Sequence, residues 1–205
     1  RFRQKRFVHV QRLIEQVLEE RGSCRILDVG GEAVYWDIAK DYLAERNVEI
    51  TLLNLSLERV PGPNFKAMRG NATKLEHLPD NAFDLVHSNS VIEHVGNWEA
   101  MEAMAGHVRR LAPRYYVQTP NFWFPFEPHM RVPLFHWLPE QLRYRILMKF
   151  DIGFAPRRNS VEHAMRDVQS IALLDRRQFA ALFPDATLET ERVLGMPKSL
   201  MAIRG

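Results

Sequence analysis

The chain has one cysteine in 205 residues, Cys24. That excludes an internal disulfide and any cysteine-built metal site, and it fits a reducing compartment. At the head of an apolar strand, the thiol reads as buried structure rather than as a nucleophile. No apolar run reaches the length needed to span a bilayer, and the first residues hold no signal-like apolar core, so the expectation is a cytoplasmic protein. Internal repeats and low-complexity tracts are missing. So is a Gly-x-Gly-x-x-Gly motif, and with no room for a separate substrate domain this argues against a nicotinamide-linked oxidoreductase. Charge of one sign is not in surplus: 28 Lys and Arg stand against 25 Asp and Glu, a net +3 with histidine neutral. The basic residues are too scattered to follow a nucleic-acid backbone. They gather only in Arg1-Phe-Arg-Gln-Lys-Arg6 and at Arg157-Arg158, which suit a phosphate or an acidic membrane surface as well as a solvated arm and loop. The chain begins without methionine, which leaves room for residues upstream.

With 46% hydrophobic residues, the chain has the means for one well-buried α/β domain over residues 1–205. Val10, Leu13, Ile14, Val17 and Leu18 recur at helical spacing and stop before Gly22, a C-terminal signal. An apolar strand at 25–29 is followed by an expected helix at 35–45 and a second strand at 50–54, apolar without alternation as in a strand covered on both faces. Short strands at 65–69 and 83–88 follow, then a helix from Trp98 that ends before Pro113, and a fifth strand at 115–119. The alternation of strand and helix implies a parallel, doubly wound sheet. Residues 121–160 break it with prolines and aromatics and a helix at 140–150. A helix at 176–183 and two strands near 188–194 and 199–203, joined by a turn at Gly195-Met-Pro197, close the chain.

The most telling segment is Arg25-Ile-Leu-Asp-Val-Gly-Gly31, a strand that ends on an acid and a glycine pair. Glycine lets backbone approach a ligand closely, and a following helix offers free N–H groups and the positive end of its dipole. The second is Asn71-Ala-Thr-Lys-Leu-Glu-His-Leu-Pro-Asp-Asn-Ala-Phe-Asp-Leu-Val-His-Ser-Asn-Ser-Val-Ile-Glu-His-Val95. Together with Tyr116-Val-Gln-Thr-Pro-Asn121 and the closing strand pair, these blocks resemble the class I S-adenosylmethionine (SAM) dependent methyltransferases, in particular the type 11 small-molecule group. The resemblance implies a Rossmann-like, seven-stranded, mostly parallel sheet with a reversed last strand and a helical cap insertion, with SAM as cofactor. It also implies cofactor contacts from Asp28, Gly30 and Gly31, from Asn54 and Leu55 at the ribose, from Asn71 and Ala72 at the adenine edge, and from Ser88 and Asn89 at the fourth strand end. Four positions depart from the family pattern. Glu32 and Val34 carry side chains where later glycines are usual, and Asn54 and Asn71 replace carboxylates.

Methyl transfer from a sulfonium needs alignment more than a demanding dyad, but an oxygen or nitrogen acceptor of high pKa gains from a base. His129 and Glu127, in Phe126-Glu-Pro-His129 after the fifth strand, are the candidates, and His94 reads as a loop anchor. No metal is expected: His87, Glu93, His94 and His129 lack the spacing that puts two ligands on one helix face. The aromatics between Phe122 and Trp137 suit an apolar acceptor pocket, a core or a dimer interface. The expected activity is methyl transfer to a small molecule or a carrier-linked glycan or lipid precursor, the alternative being an inactive methyltransferase-like binding or scaffolding protein. Peripheral membrane contact and a homodimer are open, and no nucleic-acid partner is expected.

Overall fold

A computed structural model describes residues 2–57, 59–60, 62–127 and 129–205, with the Glu127 side chain left aside. Seven strands form one sheet in the order β3-β2-β1-β4-β5-β9-β8. They are β1 (Cys24–Val29), β2 (Val48–Asn54), β3 (Phe65–Arg69), β4 (Leu85–Asn89), β5 (Arg114–Pro120), β8 (Thr187–Val193) and β9 (Met196–Arg204). The first five are parallel, and β9 alone opposes them, antiparallel to both β5 and β8. The order reverses direction at β1 and β4. Their carboxyl ends, where the chain leaves in opposite directions, form the crevice in which such sheets take ligands.

The two faces of the sheet are sorted by the two-residue strand period. Leu27, Val29, Val86, Tyr115 and Val117 face α3 (Trp98–Leu111) and α6 (Arg176–Leu182). Cys24, Ile26, Ile50, Leu52, Leu85 and Tyr116 pack with Phe7, Val10, Leu13, Ile14 and Val17 of α1 (Phe2–Arg21) and with Tyr35 and Trp36. At Gly22 the backbone has φ +73° and its N–H donates back to Leu18 O, so α1 ends where the glycine signal places its end. Burial pushes the Cys24 thiol up to about 12, consistent with a structural residue.

The segment after the glycine pair is not the expected long helix. Residues Ala33–Ala39 form a 3-10 turn run and α2 (Lys40–Ala44) is only five residues long; Trp36 and Tyr35 turn inward here, and that side-chain demand overrides the helical pattern. The terminal turn also lies one residue earlier than expected. Val193 pairs Met196, so Leu194 and Gly195, at φ 50° and 80°, make a two-residue hairpin, and Pro197 is already in β9.

The insertion leaves the sheet at Asn121 and rejoins it at Leu174, which pair as an isolated bridge, with Phe122 N–H donating to Leu174 O. It holds a small ribbon of β6 (Phe126–Glu127) and β7 (Val132–Pro133), then α4 (Glu140–Lys149) and a helix not anticipated from sequence, α5 (Val161–Gln169). Its own apolar cluster, Met130, Phe135, Leu147, Ala164 and Val168, is separate from the two under the sheet. Among the described residues no helix is long and apolar enough to cross a membrane.

Candidate functional site

Asp28 is the next-to-last residue of β1, on the α1 side of the sheet, and is 1% exposed. Its register partners make a buried polar row: Asp28 lies opposite His87 on β4, and His87 opposite Tyr116 on β5. Trp36 Nε1 donates to Asp28 Oδ2 at 2.7 Å, and His87 Nδ1 is 2.6 Å from Oδ1. With Asp28 ionised, Nδ1 carries the imidazole proton and Nε2 is left buried without a partner. The His87 ring stacks on Tyr116, with centroids 5.6 Å apart, and Tyr35 and Trp36 close over its other sides. Burial pushes the Tyr35 and Tyr116 hydroxyls well above the ordinary phenol range, so both stay protonated.

Gly30 follows at φ +67°, a conformation that favours glycine, and Gly31 lies against the Asp28 carboxylate so closely that a Cβ would fall 1.9 Å from Oδ2. Asn54 fixes the loop from the next strand: its amide donates to Gly31 O at 2.7 Å. A cavity of about 230 Å³ opens here, lined by Arg3, Asp28, Gly30, Gly31, Tyr35 and Asn89 among others. Tyr35 Oη, His87 Nε2 and Asn89 Oδ1, all on lining residues, are buried polar atoms with no hydrogen-bond partner in the chain. Such atoms are costly unless something else satisfies them. Ser90 borders the same cavity at φ 58°, held by Ser90 N–H to Gln118 O and Ser90 Oγ to Gln118 Oε1. A left-handed serine at a cavity rim is a strained position kept by its surroundings.

A second polar group lies farther along the β4 loop. Glu93 is fully buried, Oε2 accepting from Thr119 Oγ1 at 3.0 Å while Oε1 has no hydrogen-bond partner. Burial pushes its carboxyl up to about 7. His94 Nδ1 is 3.2 Å from Ser170 O, which fixes Nδ1 as donor and Nε2 as acceptor in the neutral ring. That Nε2 lies 3.1 Å from His129 Nε2, which is in turn 4.0 Å from Glu93 Oε1. One carboxylate oxygen and two imidazole nitrogens thus fall within 4.8 Å of one another. Sequence spacing gave no hint of this grouping, because His94 and His129 are 35 residues apart and the insertion brings them together. Another cavity, of about 530 Å³, lies between the insertion, α5 included, and Gly96 and Asn97 ahead of α3, and it shares no lining residue with the glycine-pair cavity.

Residues 26–114 match the methyltransferase domain family, the stretch from β1 to the start of β5 that contains the glycine pair. The matched stretch and the sheet order make the chain similar to the class I SAM-dependent methyltransferases, with the same Rossmann-like fold. Among solved structures it is similar to the PH0226 protein of Pyrococcus horikoshii OT3, at 16% identity over 98% of this chain and 90% of that one, with a TM-score of 0.56. It is also similar to a 1,6-didemethyltoxoflavin-N1-methyltransferase of Burkholderia thailandensis, solved with 1,6-didemethyltoxoflavin and S-adenosylhomocysteine, at 14% identity over 94% and 76% and a TM-score of 0.52. At these identities the structural likeness is one of fold. No curated protein matches the chain in sequence.

SAM is the cofactor that this family match implies, and the glycine-pair cavity fits its amino-acid end. A carboxylate and an arginine flank the cavity, unpartnered polar atoms line it, and backbone free of Cβ forms one wall. Of the expected contact residues, Asp28, Gly30, Gly31 and Asn89 line this cavity. Leu55 is exposed at the end of β2, Asn71 Oδ1 accepts from Thr73 N–H and Oγ1 in a local turn, and Ala72 packs on the core. Ser88 is fully buried, donating to Val29 O. The Glu127 side chain lies outside the described residues. Sequence reading missed Trp36, His87 and Arg3. Trp36 and His87 act on Asp28 through strand register and an inward turn, neither of which a linear motif displays.

Proposed function

We propose that this chain is a class I SAM-dependent methyltransferase that acts on an oxygen or nitrogen of a small molecule or of a carrier-linked glycan or lipid precursor. The observation that carries the reading is the cavity at the glycine pair, with its unpartnered polar atoms at the carboxyl edge of β1 and β4. Gly30, Gly31, Asp28, Arg3 and Asn89 would hold the amino-acid end of SAM, and Asn54, Leu55, Asn71, Ala72 and Ser88 the neighbourhood of its nucleoside. When bound there, SAM supplies a methyl group on a sulfonium carbon for in-line displacement. Asp28 keeps its geometry through Trp36 and His87, so its charge is positioned before any ligand arrives.

The base in this reading is the His94–His129 pair. Their Nε2 atoms face each other at 3.1 Å, and His129, with Glu93 Oε1 4.0 Å away, would take the proton that the acceptor gives up. The insertion 121–160 serves as the acceptor-facing cap of a single domain, with Glu127 as a further polar group in it. Operation in the cytoplasm, self-association as a homodimer and peripheral membrane contact belong to the same proposal.

Isothermal titration with S-adenosylhomocysteine tests the cofactor side: micromolar binding is expected. Absence of binding at millimolar ligand removes this reading and leaves a methyltransferase fold used as a binding or scaffolding subunit. On the acceptor side, His129→Ala should lower turnover by about 10²-fold or more while S-adenosylhomocysteine affinity stays unchanged. Equal loss of both would make His129 a structural residue.

A further inference from the structure

A second cavity, of about 290 Å³, adjoins the glycine-pair cavity, with Ser90 lining both. The two are also joined along α1: Arg3 lines the first and Arg6, one helical turn on, lines the second. The wall of the second is of two kinds. Phe124 and Phe126 give it an apolar side, and Arg6, Arg131 and Lys198 give it three cations. Among the described residues one carboxylate answers them: Glu191 lies 3.0 Å from Arg6 and 3.6 Å from Lys198. Arg131 makes no ion pair among the described residues. Its guanidinium stacks on Phe154 at 4.4 Å, which orders the side chain without neutralising it. Arg6 has a buried Nε with no hydrogen-bond partner, a donor still open beside its pair with Glu191.

An enclosed surplus of cations around an apolar floor is unfavourable when empty, through mutual repulsion and an unmet donor. It is relieved by an anion that brings an apolar body. We propose that this second cavity is the acceptor site and that the acceptor carries an acidic group, a carboxylate or a phosphate ester, on an apolar body. The assignment rests on the cofactor reading above, since adjacency through Ser90 is what makes the cavity an acceptor site. It narrows the acceptor from any small molecule to an acid. Methyl transfer then occurs at a different atom of the acceptor, the acidic group being the handle that orients it.

Three probes test this: benzoate, phenyl phosphate and benzamide, titrated into the S-adenosylhomocysteine-saturated protein and followed by chemical-shift changes of the tryptophan indoles. At least one acid is expected to bind tenfold or more tightly than neutral benzamide. Whichever acid is tighter tells carboxylate from phosphate. The preference should weaken at 0.5 M salt, as an electrostatic handle must, and fall below threefold in Arg131→Gln combined with Lys198→Gln, with circular dichroism and S-adenosylhomocysteine affinity unchanged. Benzamide binding as well as both acids, or acid binding indifferent to the double variant, overturns the proposal. Failure to saturate with S-adenosylhomocysteine is a separate result that strikes the cofactor reading, and acid binding that persists then leaves an anion site without an acceptor role.

Discussion

The Gly31→Ala variant is the sharpest perturbation of the site. Gly31 has ordinary φ, so an alanine there meets no backbone strain. What it meets is the Asp28 carboxylate: a Cβ would lie 1.9 Å from Oδ2 and 2.1 Å from Cγ. No carbon tolerates that separation, so either the loop lifts or the carboxylate turns. Turning gives up the bonds to Trp36 at 2.7 Å and His87 at 2.6 Å, all three residues being 1% exposed. Hydrogen bonds to a charged group are worth about 1.5–3 kcal/mol each, so losing both costs about 4 kcal/mol, less whatever the loop absorbs by shifting. For a domain of this size that is a fall in Tm of roughly 8–16 °C. Gly106→Ala is the control: in α3, with nothing within 4 Å of its Cβ, it should gain about 1 kcal/mol from helix propensity. Thermal melts and S-adenosylhomocysteine titration read the outcome, with affinity lost at least tenfold in Gly31→Ala. The double variant Asp28→Ala, Gly31→Ala isolates the cause, since without the carboxylate the added methyl group should cost under about 1 kcal/mol. A Gly31→Ala melt within about 2 °C of the unmodified protein, or the same penalty with Asp28 already removed, refutes the reasoning.

Glu93, held at about 7 by burial against an ordinary 4.5, binds a proton in the folded state that the unfolded chain has released between those values. Stability from this group is therefore complete below pH 4.5, drains away as pH rises to 7, and amounts to about 3 kcal/mol. Glu93→Gln should match the unmodified protein in urea at pH 4 and exceed it by up to that amount at pH 8; parallel curves at both pH values would show that Glu93 is already ionised without penalty. Leu194, 93% exposed at φ 50°, pays for a left-handed turn with no compensating contact, and Leu194→Asn should raise stability by about 1 kcal/mol, measured by urea midpoint. Asn54→Asp replaces a donor to Gly31 O with an acceptor, so it should loosen the glycine loop and weaken S-adenosylhomocysteine binding by about tenfold; tighter binding would mean that ribose contact outweighs the loop.

The sheet was legible because its causes are local. Apolar strands without alternation, helical spacing of Val10, Leu13, Ile14 and Val17, and Gly22 as a stop each act within a few residues of where they stand, and the structure has α1, β1 to β5 and α3 close to those positions. What failed to show was decided by contacts across the chain. The run from Ala33 to Ala44 has helical spacing, yet Trp36 is drawn in to donate to Asp28 and the backbone tightens into a 3-10 turn. The helix Val161–Gln169 was invisible because its apolar face, Ala164 and Val168, is short and completes a core whose other half is Met130, Phe135 and Leu147.

The same division runs through the site. Asp28, Gly30 and Gly31 were legible, since a strand end and a glycine pair are consecutive in sequence. The groups that give Asp28 its setting were not. His87 reaches it only because β4 pairs with β1 in the register Asp28↔His87, and no pattern along one strand encodes its neighbour's register. His94 and His129 were each visible as titratable residues, but their meeting at 3.1 Å depends on how the insertion folds back over the β4 loop. A sequence pattern can name the residues that face the carboxyl edge of the sheet. Which of them become one chemical unit is settled by the insertion. For that reason, variants in 121–160 are expected to change acceptor choice, while variants at Asp28, Trp36 and His87 are expected to act first on folding and cofactor affinity.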